Sequence, residues 1–375
     1  MENIHFSDNI PARGRKLHLQ THTLDEESKI VSTLFDGGRV LARDETGYEP
    51  NLPKTILKET VQQFHQERIQ AIEILYVISA RVKTVRHPVS LFKLGRQYLR
   101  WNLIDEAISE FELAIDYNPN MGEAYIQLGE AYLRRGGFTE AIETLKKGLQ
   151  VTPGYPDLWL KLGAALGKTG NFNQALAAVK KAQKINPEYS DAYFLHARLL
   201  LSCISDDSGK KVETDLPTAK NTIKASLSQA VSLSPRFRTP LLEEALRRLN
   251  QGQLKESGNL LDRLGEKLNP EMDLNFHDLF YLNYMYGEKG RHPAAVDAYV
   301  SQLERLLKKH ARYADLHNMM GIGYLMKCRE LFFRSLQHFR TAVEINPDYQ
   351  QAKRNLKLAE NDGKGLLILL RALLK

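Results

Sequence analysis

Residues 88–121 read PVSLFKLGRQYLRWNLIDEAISEFELAIDYNPNM, residues 122–155 read GEAYIQLGEAYLRRGGFTEAIETLKKGLQVTPGY, and residues 156–189 read PDLWLKLGAALGKTGNFNQALAAVKKAQKINPEY. Laid over one another, these three stretches of 34 residues agree at eight positions. The fourth is Leu91, Tyr125, Trp159; the seventh Leu94, Leu128, Leu162; the eighth Gly95, Gly129, Gly163; the eleventh Tyr98, Tyr132, Leu166. Further on come Ala107, Ala141, Ala175; Phe111, Leu145, Val179; Ala114, Gly148, Ala182; and Pro119, Pro153, Pro187. A fixed period of this length marks a unit that cannot bury its apolar face alone and must stack on copies of itself.

The residue types explain themselves as two crossing helices. Gly95 and Ala107 stand where the axes cross, and a larger side chain would overpack the contact. Leu94, Tyr98 and Phe111 fill the space between the helices. Pro119 ends the second helix, with Asn118 before it as a turn residue. This pattern resembles the tetratricopeptide repeat. The resemblance implies a mainly α fold, an α-solenoid in which antiparallel helix pairs form a right-handed superhelix.

The resemblance also implies which side binds. In that family the first helix of each repeat lines a concave surface through its second, fifth, ninth and thirteenth positions. Here the fifth positions are Phe92, Ile126, Leu160 and Phe194, with Phe280 added by a later unit. The ninth are Arg96, Glu130, Ala164 and Arg198. The implied groove is an apolar ridge flanked by Arg96, Arg134, Lys168 and Arg198 and by Glu123, Glu130, Asp157 and Asp191. Such a surface suits an amphipathic helix or an extended peptide. The expected contact residues are Phe92, Arg96, Ile126, Glu130, Leu160, Phe194 and Arg198. Packing against the neighbouring first helix is the alternative use of the same fifth positions. Phe92 and Arg96 depart from the Lys/Asn pattern with which one subfamily clamps a C-terminal carboxylate.

Outward from the three clear repeats the pattern degrades. A fourth opens at Ser190 with Tyr193 and Leu200, breaks at the polar loop CISDDSGKKVETDLP (203–217), and resumes through Leu227 and Ala230 to Pro235. A fifth unit spans about 239–272 and ends at Pro270. A sixth spans about 276–310, with Pro293 starting its second helix. A seventh, about 314–349, carries Gly321, Tyr324, Phe339, Ala342 and Pro347, with two residues too many between its helices. Residues 350–361, QQAKRNLKLAEN, read as a final solvating helix. An apolar tail, GLLILLRALLK (365–375), follows a break at Asp362-Gly363-Lys364. Docking back onto the array and binding a partner or a membrane surface are both open to it.

The first 86 residues do not fit the repeat. KLHLQTHT (16–23), KIVSTLF (29–35) and RVLARDE (39–45) alternate with period two, and Asp36-Gly37-Gly38 marks a tight hairpin. They predict a three-stranded meander, within a small α+β module. Its Gln20-Thr21 and Gly37-Gly38 pairs resemble strand-rich modules that precede repeats in uncharacterised bacterial proteins. Residues 53–86 predict a long helix. Leu57, Val61, Phe64, Arg68, Ala71, Leu75, Ile78 and Val82 form a heptad seam in it, broken at Arg68. Covering the sheet and capping the first repeat is one use of that seam; a homodimeric coiled coil is the other. The chain thus divides into 1–52 (meander), 53–86 (helix), 88–235 (repeats one to four), 236–349 (degenerate repeats five to seven) and 350–375 (solvating helix and tail).

Composition bounds the chemistry. Charged residues make up 26% and hydrophobic ones 43%, as in an ordinary folded protein. Residues 190–375 hold 28 basic and 22 acidic side chains, most of the net +7. That asymmetry keeps nucleic-acid binding through the C-terminal half as an alternative reading. The two cysteines, Cys203 and Cys328, are too few and too far apart for a zinc site or a disulfide framework. They fit a reducing, cytoplasmic compartment, as does an N-terminus without a signal-peptide core. No phosphate loop, His-Glu-x-x-His or Gly-x-Ser-x-Gly occurs. Gly321-Ile322-Gly323 falls inside a helix. His18 and His22 share one strand face without further ligands nearby. The sequence therefore predicts no enzyme, no cofactor and no metal, but a scaffold or adaptor for a protein or peptide.

Overall fold

The structure, a computed structural model, describes residues 4–12, 15–205, 215–268, 275–287, 290–311, 313–345, 347–348 and 350–373. It divides into two compact units, Met1–Leu75 with Lys83–Asn275 and Tyr76–Val82 with Phe276–Lys375.

The first unit begins with a four-stranded antiparallel meander, β1 (His5–Ala12), β2 (Arg15–Leu24), β3 (Lys29–Asp36) and β4 (Arg39–Gly47), in that order. The sequence predicts three of these strands and misses β1. Its residues HFSDNIPA are mostly polar, and Pro11 argues against a strand. Proline is tolerated there because β1 is an edge. The β3–β4 turn lies where Asp36-Gly37-Gly38 places it, with φ of +55° at Gly37 and +83° at Gly38. Two consecutive positive φ values are what a tight hairpin asks for and what glycine supplies at least cost.

One face of the sheet buries Ile10, Leu17, Leu19, Ile30 and Leu34. The long helix α1 (Lys54–Val85) covers it. Arg68 of α1 pairs with Asp44 of β4, and the His65 ring stacks on Phe6 at 5.9 Å. The heptad seam is therefore spent inside the chain. Val61, Leu75, Ile78 and Val82 are wholly buried, so a second copy cannot pair through them. At that step of the seam the inward position is His65, not Phe64. The Tyr98 hydroxyl donates to the Leu75 carbonyl at 3.2 Å and ties α1 to the first repeat.

Then come the helix hairpins α2 (Pro88–Arg100) with α3 (Ile104–Tyr117), α4 (Gly122–Arg135) with α5 (Phe138–Val151), α6 (Pro156–Lys168) with α7 (Phe172–Ile185), and α8 (Ser190–Ser205) with α9 (Leu216–Leu233). The second helices α3, α5 and α7 each pack on the next first helix, so the hairpins stack. A Cβ on Gly95 would lie 2.6 Å from Phe111 Cε1, and one on Gly163 would lie 2.6 Å from Val179 Cγ2. The three clear second helices end alike: the N–H groups of Asn118, Thr152 and Asn186 each bond the carbonyl four residues back. Of the predicted loop 203–217, residues 203–205 continue α8 and 216–217 open α9, capped by the Asp215 carboxylate; residues 206–214 lie outside the described ones. A short 3-10 turn (Pro235–Phe237) leads to α10 (Pro240–Asn250) and α11 (Leu254–Lys267). Pro270, the expected end of the fifth unit, also lies outside the described residues.

The second unit holds α12 (Asn275–Tyr286), α13 (Pro293–Lys309), α14 (Ala314–Ile345) and α15 (Gln350–Leu373). The sixth unit is a helix pair, joined by Phe280 stacked on Tyr299 at 3.9 Å. The seventh is not. Residues 314–345 run as one helix, because LMKCRELFF (325–333) contains no residue that stops one. Gly321, which the seventh unit carries at its eighth position, has nothing within 4 Å of where its Cβ would be. The expected break at Asp362-Gly363-Lys364 is likewise absent, since α15 runs through it. The tail thus continues a helix; most of its side chains lie outside the described ones.

The glycine contacts can be tested by substitution. Gly95→Ala should lower stability in urea titration by about 1–3 kcal/mol, since the Phe111 ring must move. Gly154→Ala, where nothing lies within 4 Å, should stay within about 0.5 kcal/mol of the parent.

Candidate protein-binding site

The curvature of the repeat stack identifies its inner side. First helices α2, α4, α6 and α8 each touch the next, whereas second helices do not approach one another beyond a marginal contact. The layer with the closer neighbours lies inside the curve. The inner side is therefore built from first helices, as the resemblance implies.

On that side the predicted ridge is mostly a floor. Phe92 is 7% exposed, Ile126 8% and Phe194 5%. Phe92 packs on Phe111 of its own hairpin, with ring centroids 6.0 Å apart. Phe194 packs on Phe237 at 5.0 Å. These three side chains belong to the core and offer a partner no apolar ridge. Leu160 alone of the fifth positions in repeats one to four is half-buried. The reason is the fifth position's neighbours: a large residue there meets the next first helix before it meets solvent.

The ninth positions, one turn on, reach the surface. Arg96, Glu130, Ala164 and Arg198 are all half-buried. Arg134 Nε donates to Glu130 Oε1 at 3.2 Å, and Lys161 Nζ stands 4.0 Å from Glu130 Oε2. Arg134 also donates to the Leu99 carbonyl at 3.3 Å. Lys168 is exposed at the thirteenth position. Arg198 is engaged by Asp262 of α11.

The acidic flank has a different use from the one expected. Asp157 accepts from Tyr189 and Asp191 pairs with Arg236, while Glu123, at the equivalent place one repeat earlier, adds its charge to burial in raising the Tyr155 phenol. The three acids recur at 34-residue intervals, and each partner sits just beyond its repeat's closing proline. These bonds pin one repeat to the next. Burial, then the bond to Asp157, pushes the Tyr189 phenol far above its ordinary range, so it stays a donor. Tyrosine following Asn-Pro-x was visible in the sequence, but its partner 32 residues earlier was not.

Two buried histidines escaped the sequence reading. The Thr21 hydroxyl lies 2.8 Å from His65 Nδ1, and His65 Nε2 lies 3.0 Å from the Asp8 carboxylate. Hydroxyl, imidazole and carboxylate in that order resemble a nucleophilic triad. Thr21, however, has no exposed surface and is also bonded to Ser32 at 2.9 Å. No substrate reaches it, and the chain of bonds serves to anchor the helix on the sheet. His196, 6% exposed, bonds Ser226 of α9 at 3.1 Å. Burial, and secondarily the charge of Lys180, pushes its pKa down to about 4. His18 spends its ring nitrogens on Ser7, Asn9 and Gln20. Among the described residues no group of three or more potential ligands could hold a metal ion, and no helix is long and apolar enough to cross a membrane.

A tetratricopeptide-repeat family model matches residues 89–121 and again 156–189, and a second TPR model matches 129–170. Residues 89–121 and 129–189 are tetratricopeptide repeats. No curated protein matches the sequence. Among solved structures, the thermophilic TPR protein TTC0263 of Thermus thermophilus is 24% identical, covering 51% of this chain and 97% of that one with a TM-score of 0.36. MamA is 22% identical, with 46% and 93% covered and a TM-score of 0.34. YrrB, described as a TPR protein with an unusual peptide-binding site, is 16% identical, with 53% and 96% covered and a TM-score of 0.35. At these scores the likeness says nothing of a ligand for this chain.

Because they are core residues of the repeats, Phe92→Ala and Phe194→Ala should each cost about 3–5 kcal/mol in denaturant titration. The His196 shift sets a pH dependence. The unfolded imidazole takes its proton near the ordinary 6.5, the folded one only near 4, so stability is complete above pH 6.5 and falls as pH drops toward 4. Between pH 7 and 4 the parent should lose about 3 kcal/mol more than His196→Gln. Equal slopes for the two chains would show that His196 is not held neutral.

Proposed function

We propose that this chain is a non-catalytic scaffold that holds a peptide or helix of another protein along the inner side of α2, α4 and α6. The observation that carries the reading is the exposure profile across those first helices. The floor is closed by Phe92 and Ile126, while Arg96, Glu130, Leu160 and Ala164 are half-buried. Further along the same helices stand the exposed Arg100, Arg134 and Lys168, one per repeat.

A ligand lying there meets a small residue at Ala164, an apolar one at Leu160 and charges of both signs on either side. Recognition is then a matter of shape at Ala164 and Leu160, with the basic row selecting acidic side chains. Of the seven residues the sequence singles out, Arg96, Glu130 and Leu160 keep a place in the contact surface. Phe92 and Ile126 support it from below. Phe194 and Arg198 belong to the end of the stack where another segment of the chain intervenes.

The test is affinity capture from the native cell with the full chain as bait. Ala164→Arg puts a large side chain in place of a small one on that inner side and should lower recovery of the captured protein at least tenfold while leaving the melting temperature unchanged. Lys181→Glu, on the second helix α7, should capture as the parent does. Equal capture by Ala164→Arg and the parent would remove the inner side as the binding surface.

A further inference from the structure

The stacking rule fails after α9. At the earlier junctions the second helix of one hairpin packs on the first helix of the next. Neither α10 nor α11 packs on α9 beyond a marginal contact; of the described elements that follow it, α9 packs on the 3-10 turn at Pro235–Phe237. Instead α11 packs on α8. Thus α11, a second helix, lies against α8, the last of the first helices that build the inner layer.

The contacts fall on the positions that face inward in every repeat. Arg198, at the ninth position of α8, donates from Nε to Asp262 Oδ1 at 2.9 Å, and a second guanidinium nitrogen reaches the same oxygen. The guanidinium also stands 5.8 Å above the Phe194 ring, the fifth position. Gly265 lets α11 come close: a Cβ there would lie 3.0 Å from Arg198 Nη1 and 3.5 Å from Phe194 Cε1. Leu261 and Leu264 are buried on the same helix. The docked segment thus offers leucine, acid, any residue, leucine, glycine (Leu261-Asp262-Arg263-Leu264-Gly265), and α8 offers an aromatic floor and one cation.

The geometry points to the inner side of repeat four as a helix-binding site that the chain fills with its own α11. An outside amphipathic helix with the same order of leucine, acid and small residue competes with α11 for Phe194 and Arg198. With α11 in place, the open groove ends at α6. With α11 displaced, it extends by one repeat. This inference rests on the reading of the inner side as the binding surface and names the chemistry of one of its ligands.

The test uses the full chain and a labelled synthetic peptide of residues 253–268. Asp262→Arg sets two cations against each other. It should raise amide exchange across 254–267 at least tenfold, leave α2 to α7 unchanged, and bring peptide affinity at least tenfold above the parent's. Gly265→Leu, which wedges the helices apart without altering charge, should do the same. Arg198→Asp combined with Asp262→Arg restores the pair in reverse and should return α11 exchange and peptide affinity toward the parent values. Exchange of α11 at the parent rate in both single variants would overturn the proposal. So would an α11 that opens while peptide affinity stays at the parent level. In either case, capture that depends on Ala164 would leave the groove of the first three repeats standing; capture indifferent to Ala164 with peptide binding intact would fail only that broader reading.

Discussion

Everything in the repeat stack depends on how closely two helices of one hairpin approach. Gly95, Gly129 and Gly163 face Phe111, Leu145 and Val179, and a Cβ on any of them would meet its partner at 3.0 Å or less. That contact fixes the crossing of the pair, and the crossing fixes which faces remain for the next hairpin. The repeats therefore share one geometry because they share one small-against-large contact. A second, polar constraint runs alongside it. The bond from Tyr189 to Asp157 locks one hairpin to the next, and Glu123 and Tyr155 stand at the same offset one period earlier.

These constraints decide what the inner side can do. A first helix held so close to its neighbours has little room at the fifth position, and Phe92, Ile126 and Phe194 close it. The ninth and thirteenth positions are what the inner side presents, because side chains there clear the neighbouring helix. In the proposed reading a partner meets polar and small side chains over an apolar floor, a surface that discriminates by charge placement more than by buried area.

Where repetition was strict, the fold was legible from residues alone. The hairpins of 88–189, their crossing glycines and their closing prolines follow from eight recurring side chains. The Asp36-Gly37-Gly38 turn follows from the need for positive φ. The misreadings have physical causes of the same kind. β1 hides behind a proline that only an edge strand accepts. α14 stays whole because glycine inside an otherwise strong helical run does not end a helix when no partner makes use of it. The site was less legible, since period tells which way a side chain points and not how far the next helix stands. Phe92 and Phe194 point inward and are buried; Arg96 and Glu130 point inward and reach the surface.

The fifth unit keeps the hairpin and changes what the hairpin meets. Aligned from the start of its second helix, α11, its twentieth, twenty-fourth and twenty-seventh positions are Ser257, Leu261 and Leu264, all buried, and the Ser257 hydroxyl donates to the Ala245 carbonyl at 2.8 Å. Asp262 falls one residue beyond the twenty-fourth position, outside the pair, with its side chain 55% exposed. The carboxylate finds its partner in Arg198, outside its own hairpin, and Gly265 makes the approach possible. The hairpin's own packing and its contact with α8 therefore use neighbouring faces of one helix: Leu261 and Leu264 close the pair, while Asp262 and Gly265, one residue further round, meet Arg198.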